Sequence, residues 1–542
     1  MNYFKHKQTR HLGQLLLVLL VLGLYSCKKE IIGENPYGGG KEPLGIKFGA
    51  ALPDPEVAAP GSEVNVSIRG LKKFENNYKF YVNEVEATVV AFTDSTARIK
   101  VPNDASSGGM SVISEGQTFF GPLLRIEGKV SVDGSFLAPV GSNSTIFDIM
   151  RLPNANYLLT GSFSDFDNKG NVNIPIGAIA QITSQGVYAT SLNFGKGALG
   201  SIYSANRLSS GKFLISGFFG SFNSTRGKRI NINSIATLNS DGTLDSTIID
   251  VINPTPIDFK KNKDTVPTFN GGVAGFIRKS FVFNDRIYAV GRFENYVRVF
   301  YDRSTYDTKV YDVTRVKQMV CMKMDGAMDS TFHFDMATKQ SPAAGNGEIT
   351  DAIQQADGKL ILVGAFSTFN GLAANRIVRI NLDGSVDQSF NAGAGADNNI
   401  TSITYNATTN KILITGAFTT YGGSAKKGVA MLNADGSIDN SFNFGAIASG
   451  VATYASQLNN GKVIVSGNFK TYNTVIRQGF MVLNADASLA AGYNNTGQFT
   501  GQIYKVIETT SSFGNPAVIL VGSIQRFDNK KFGNIVRVEL KN

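Results

Sequence analysis

If the first 26 residues leave as a leader, few side chains remain for proton transfer, nucleophilic attack or soft-metal binding: His333, Cys27 and Cys321. A Ser-His-Asp or Cys-His device needs its own imidazole as proton carrier. His333 lies in Ser330-Thr331-Phe332-His333-Phe334, which reads as an ordinary strand closing a repeat. Cys321, in Val320-Cys321-Met322, reads as a packed thiol. Zinc sites of the His/Cys kind lack ligands. Carboxylates are left, and glycoside hydrolysis is the chemistry they would support. Most of the acids, however, recur at one turn: Asp241 and Asp245, Asp325 and Asp329, Asp383 and Asp387, Asp435 and Asp439 all fit Asp-Gly-x-x-Asp. A calcium loop wants more oxygen ligands, closely clustered. Asp side chains capping their own turns explain the recurrence more simply. The expectation is no catalytic residue, no metal and no cofactor.

The elements around those acids form a repeat. Seven times, a β-run ends in Gly and two large side chains follow, three residues apart. The glycines are Gly161, Gly217, Gly291, Gly364, Gly416, Gly467 and Gly522. The pairs begin with Phe163 and Phe166 and end with Ile524 and Phe527. About 20 residues later an apolar strand meets an Asp-Gly turn, as in Leu432-Asn433-Ala434-Asp435-Gly436, which is a strong hairpin signal. Each unit holds about four strands, the content of one propeller blade. The last unit stops before its closing strand, and a stray copy of that piece stands upstream at Val132-Asp133-Gly134-Ser135-Phe136. Residues 128–138 are therefore expected to pair with the final unit and close a seven-bladed β-propeller over residues 126–542. Seven copies of the pair at one register, six of them wholly aromatic, imply packing between neighbouring sheets.

Upstream, residues 42–125 alternate apolar and polar positions over short runs, as at Val64, Val66 and Ile68, and read as a β-sandwich. The whole fold is all-β. Residues 1–26 carry Lys5, Lys7 and Arg10 before an apolar run from Leu15 to Leu24, the pattern of a secretory signal. Residues 27–41 are polar and Gly-rich, a flexible tether. The formal charge of +10 becomes +7 without those three basic residues, too mild over this length to indicate nucleic-acid binding.

Three resemblances add to this reading. Leu24-Tyr25-Ser26-Cys27 resembles the lipobox of bacterial lipoproteins, which implies diacylglycerol on the Cys27 thiol. Pro60-Gly61, Gly70, Thr96, Val101-Pro102, Gly116 and Gly121-Pro122 resemble the IPT/TIG immunoglobulin-like family, which implies a spacer fold and no activity. Asp357-Gly358-Lys359 through Phe390 resembles bacterial propeller repeats of unknown function. The combined layout resembles accessory lipoproteins of TonB-dependent importers of glycans or peptides. That implies anchoring at the outer membrane by the lipid; Lys28-Lys29-Glu30 is similar to the charged start of surface-exported lipoproteins, and both surface and periplasmic faces fit.

A ligand is expected where the repeat is broken. The spacing between unit glycines is 51 to 56 residues, but 74 and 73 after Gly217 and Gly291. Insertions over Val251–Phe269 and Glu294–Val316 account for the excess. The second mixes Tyr and Arg, residue types enriched at recognition surfaces. Tyr296, Arg298, Tyr301, Arg303, Tyr306 and Tyr311 form the candidate recognition surface, and the competing reading is an extended blade edge with solvated tips. Two function classes follow: a non-enzymatic envelope lipoprotein that binds a ligand or docks a partner, or a carboxylate glycosidase or lyase on a propeller. The first is favoured because no acid outside the repeating turns stands out.

Overall fold

The computed structural model describes residues 42–541 apart from 76, 172, 224–231 and 256. The leader, Cys27 and the tether lie outside the described residues. Of the N-terminal unit, Met1–Lys47, only residues 42–47 are described, and they are irregular through Ile46. The second unit, Phe48–Asn542, holds everything that follows.

The sandwich forms because alternation gives each strand one apolar face. Glu63–Arg69 buries Val64, Val66 and Ile68 and exposes the residues between them to differing degrees. Its neighbours follow in the order Thr96–Lys100, Val85–Phe92, Tyr78–Val82, Gly108–Ser114, Gln117–Ile126 and Val57–Ala58. Val85–Phe92 pairs with Tyr78–Val82 through its first half and with Thr96–Lys100 through its second. A bulge between Val89 and Ala91 lets this one strand serve both sheets.

Seven antiparallel sheets make the ring. Their inner strands are Ile146–Arg151, Ala198–Arg207, Val273–Phe283, Ile349–Gln354, Ile400–Asn406, Ala452–Gln457 and Thr500–Thr510. Each pairs with the strand that carries the unit glycine. Every inner strand touches the next blade, and the last touches the first, so the ring is closed. Val130–Val132 pairs with Ile535–Leu540, Val538 lying opposite Val132 and Leu540 opposite Val130. This is the closure expected of residues 128–138. Arg537 Nε lies 2.6 Å from Asp133 Oδ2, with both side chains at most 2% exposed. The same guanidinium donates to Ser184 O of the first blade at 2.7 Å. One ion pair thus fastens the final strand, the N-terminal strand and the first blade together.

The outer strand is shorter than four full strands per unit would require. It pairs over two or three residues in the first and seventh blades. In the other five it shrinks to a single bridge, such as Ile380 with Val386. The second Asp of the turn motif explains this. Asp387 Oδ1 accepts from Ser389 N and Oγ at 3.0 and 2.7 Å, which turns the chain out of the ladder. Its Oδ2 accepts from Lys359 and Arg379 at 2.7 and 2.8 Å. The first Asp caps its own turn, Asp383 Oδ1 accepting from Ser385 N at 2.9 Å.

The core is divided among seven junctions, and each receives one of the repeated pairs. Phe163 and Phe166 pack with Ile519 and Val521 of the seventh blade. Phe366 and Phe369 pack against Val290 and Cys321 of the third. Phe418 with Tyr421 and Ile524 with Phe527 repeat the arrangement further round. All fourteen side chains are at most 4% exposed. Burying one such side chain contributes roughly 1.5–3 kcal/mol. Where the second member is Tyr, its hydroxyl reaches the facing turn: Tyr421 donates to Gly436 O at 2.9 Å and Tyr296 to Gly326 O at 2.8 Å.

His333 is not a strand residue. Its φ is 47°, because the Asp329 turn has already bent the chain. The ring is buried, Nε2 meets Asn370 Oδ1 at 3.0 Å, and burial lowers the imidazole below its ordinary value. Cys321 packs in Met319–Lys323, where burial pushes its thiol up to about 12.

Candidate functional site

The unit glycine has a steric cause that leads to the centre of the ring. A Cβ built on Gly364 would strike the carbonyl oxygen of Glu348, and one on Gly416 that of Asn399. The other five unit glycines face a carbonyl in the same way. In each case the carbonyl belongs to the residue two positions before a β-bulge in the inner strand. The bulge leaves one residue out of the ladder and re-aims its side chain. Those seven residues are Phe147, Tyr203, Arg278, Thr350, Thr401, Thr453 and Tyr504, and all seven line a constriction of about 70 Å³ in the central channel.

The lining is one-sided. Phe147 packs edge-on against Tyr203 and Tyr504, with ring centroids 4.7 and 5.3 Å apart. Arg278 lies 5.6 Å from the Tyr203 ring and 5.4 Å from Phe276, within cation–π range. Its Nε is buried with no hydrogen-bond partner, and its Nη2 stands 4.0 Å from Glu348. The opposite arc is hydroxyl. Thr350 Oγ1 donates to Ile400 O at 2.7 Å and Thr401 Oγ1 to Thr415 O at 3.2 Å.

Three acids outside the repeating turns belong to this layer, Glu348 beside Arg278 and then Asp148 and Asp351, and sequence reasoning passed over all three. Asp148 accepts from Ile149 N at 2.9 Å and Ala205 N at 3.1 Å, and pairs with Lys505. Asp351 accepts from Ala352 N at 2.9 Å and Ile403 N at 3.1 Å, with Lys279 at 3.9 Å. Each aspartate therefore bridges its blade to the next. Among the described residues no group of three or more His, Cys, Asp or Glu is placed to hold a metal ion.

The bulges and glycines mark one end of every blade, and two further bodies stand at that end. The first is built from both insertions. Arg286–Val299 continues for eight residues beyond Gly291, about 26 Å at strand rise, and pairs with Tyr311–Arg315. The other insertion pairs its Lys263–Pro267 with Ser246–Asp250, the segment just before it. Ile252 N donates to Ser304 O at 2.9 Å, joining the two. The Lys309–Asp264 ion pair, 2.8 Å long and at most 6% exposed, locks them. The second body is the sandwich. Ser107 N and Oγ donate to Asn495 O at 2.9 and 2.8 Å, and Gln478 Nε2 donates to Asn83 Oδ1 at 2.9 Å. Glu84 pairs with Lys470.

The candidate recognition residues divide. Arg298, Tyr301, Arg303 and Tyr311 line a pocket of about 620 Å³ on the insertion body. Arg303 lies 4.7 Å over the Phe300 ring. Burial, then the nearby Asp264 charge, push the Tyr301 hydroxyl well above its ordinary value. Tyr306 sits at the hairpin tip, where its carbonyl accepts from Lys309 Nζ at 3.3 Å. Tyr296 must be corrected: it is 4% exposed and belongs to the junction core, where burial raises its hydroxyl to about 12. It is the second member of the repeated aromatic pair, and that role decides its position. Phe147, Tyr203, Arg278 and Tyr504 were missed, although each stands 13 to 18 residues before its unit glycine.

Residues 355–390 and 408–442 match the model of a β-propeller domain of unknown function, DUF5122. Residues 20–122 match another domain of unknown function, DUF5008. No curated protein matches the chain. Among solved structures, the chain is similar to the WD40 β-propeller domain of Doa1 at 10% identity, covering 76% of this chain and 96% of that one with a TM-score of 0.41. A structural-genomics protein of unknown function from Bacteroides thetaiotaomicron gives 12% identity, 91% and 98% coverage and a TM-score of 0.23. The extracellular domain of a putative hybrid two-component system, BT4673, from the same organism gives 12%, 89%, 57% and 0.29.

Proposed function

We propose that the protein is a non-enzymatic, lipid-anchored component of the cell envelope that captures a ligand or docks a partner, as an accessory to a TonB-dependent importer of glycans or peptides. One observation carries the reading: a single end of the ring gathers the one-sided channel mouth, the insertion body with its Tyr and Arg pocket, and the sandwich. The acids of the channel layer favour binding over hydrolysis, because Asp148 and Asp351 are spent on bridging blades and Glu348 is left as a single acid beside Arg278. A glycosidase needs a carboxylic acid and a carboxylate free to reach the substrate.

In this reading residues 1–26 are a lipoprotein signal, Cys27 carries the lipid and the tether spans residues 27–41. The sandwich is an IPT/TIG-like spacer clamped to the ring, and the protein works at the outer membrane facing outward. The test is to purify the lipidated protein from its native membrane in mild detergent and identify its companions by mass spectrometry. A co-purifying outer-membrane importer is the expected result. A protein that comes out alone would overturn the accessory role.

A further inference from the structure

The seam that closes the ring leaves open a space that its counterpart elsewhere fills. Arg537 lies opposite Ile519, three residues before Gly522, and Arg379 lies opposite Ile361, three before Gly364. The two therefore hold the same place in the seventh and fourth blades, and their partners match. Nε reaches Asp133 or Asp387, Nη2 reaches Ser135 or Ser389, and Nη1 reaches a carbonyl of the next blade, Ser184 or Ala434. In the fourth blade two more side chains complete the cluster. Gln355, 8% exposed, meets Arg379 at 3.3 Å and donates to Ala434 O at 2.8 Å, and Lys359 reaches Asp387 at 2.7 Å. The seventh blade has Thr509 and Ala517 at those two places. Thr509 meets the Tyr157 hydroxyl instead, at 2.9 Å. A cavity of about 180 Å³ opens beside Arg537, lined also by Arg151 and residues 509–512.

The charge on this lining has one sign. Arg151 stands where the fifth blade has Tyr405, and its side chain has no hydrogen-bond or ion-pair partner among the described residues. Ser511 Oγ accepts from Phe513 N and Asn515 N, both at 3.3 Å, which leaves its proton to donate. No carboxylate lines the cavity. Those of the adjoining strands are engaged elsewhere. Asp133 holds Arg537 and Ser135, Glu539 accepts from Asn515 and Ser131, and Glu508 accepts from Asn459 N. Asp133 thus offsets Arg537, and Arg151 is left over. A water's share of liquid volume is about 30 Å³, so a phosphate or sulfate group fits with room for part of the molecule that carries it.

We infer that the seam cavity binds a tetrahedral oxyanion, a phosphate or sulfate group, on Arg151, Arg537 and the hydroxyls of residues 509–512. The donors come from three elements: the inner strand of the first blade, the hairpin of the seventh and its third strand. A tetrahedral anion carries acceptors on every side, whereas a carboxylate carries them in one plane. The site lies at the ends of the inner strands remote from the bulges. It is separate from the capture end and does not rest on that reading.

The test is calorimetric titration of the full chain in mild detergent with inorganic phosphate, sulfate, glucose 6-phosphate and acetate, each against chloride at equal ionic strength. Phosphate or sulfate is expected to bind about tenfold or more tighter than acetate, and Arg151→Gln to remove that advantage. Arg151 is exposed, so this variant leaves the Asp133–Arg537 pair and the fold intact. Thr509→Gln restores the filling of the fourth blade and should abolish binding in a protein that still melts cooperatively. Tighter binding of glucose 6-phosphate than of inorganic phosphate would assign the anion to a sugar ester, and the reverse to the free ion; either supports the site. No binding of either tetrahedral ion, equal binding of acetate, or undiminished binding by Arg151→Gln would each overturn it.

Discussion

The fourth and fifth blades and the second and third blades share one frame and present different surfaces. In both regions a unit glycine faces a bulge, an aromatic pair fills the junction and an Asp closes the turn. The fourth and fifth blades add little else, and their bulges offer Thr350 and Thr401 to the channel. The second and third offer Tyr203 and Arg278 and raise the insertion body above them. The difference teaches that the most regular residues hold the ring while the bulged residue in each inner strand is free to vary. Recognition can then be built on one side of a nearly symmetric scaffold without disturbing its packing.

The largest effect should come from breaking the frame itself. Gly364→Val drives a branched side chain onto the Glu348 carbonyl and should cost more than about 4 kcal/mol in a denaturant melt. The equivalent change at Gly291, in the elaborated half, should cost the same. A much smaller loss at Gly291 would show that the two regions do not share a frame.

Next in size is the closure. Removing one partner of a buried ion pair costs about 3–5 kcal/mol, so Asp133→Ala should approach that loss. The pair also has a pH signature. Burial works to raise the Asp133 carboxyl, but hydrogen bonds from Ser135 and the Arg537 guanidinium outweigh it and hold the group below 3.8. The stabilisation is therefore complete above about pH 4 and is lost as the pH falls through the lower folded value. Asp133→Asn should flatten the acid limb of the stability curve.

A smaller effect sharpens the assignment of Tyr296. Tyr421→Phe strands the Gly436 carbonyl and should cost about 1 kcal/mol, and Tyr296→Phe strands both the Gly326 carbonyl and the Met328 N–H and should cost about twice that. Ligand or partner binding should be unchanged in both. Loss of binding with Tyr296→Phe alone would return that residue to the recognition surface.

Legibility followed this division. Seven glycines, seven pairs of large apolar side chains, six of them aromatic, and the displaced Val132-Asp133-Gly134 piece were readable because each recurs in register. Residues that do not recur gave no such signal. Arg278 and Tyr203 differ in type from Thr350, and only the bulge register shows that they share a position. The outer strand was overestimated because an Asp that begins a strand and one that ends it by hydrogen bonding to its own Ser look alike in sequence. The union of the two insertions depends on Lys309 and Asp264, 45 residues apart, a contact that no local pattern encodes.

The central claim is that recognition sits on the broken side of the repeat, and photo-crosslinking in the native envelope tests it most directly. A photoreactive residue would replace Tyr301 on the insertion body or Lys427 in the corresponding segment of the regular fifth blade. The account predicts a specific crosslinked partner or ligand from Tyr301 and none from Lys427. Crosslinking from Lys427 alone, or equally from both, would contradict it.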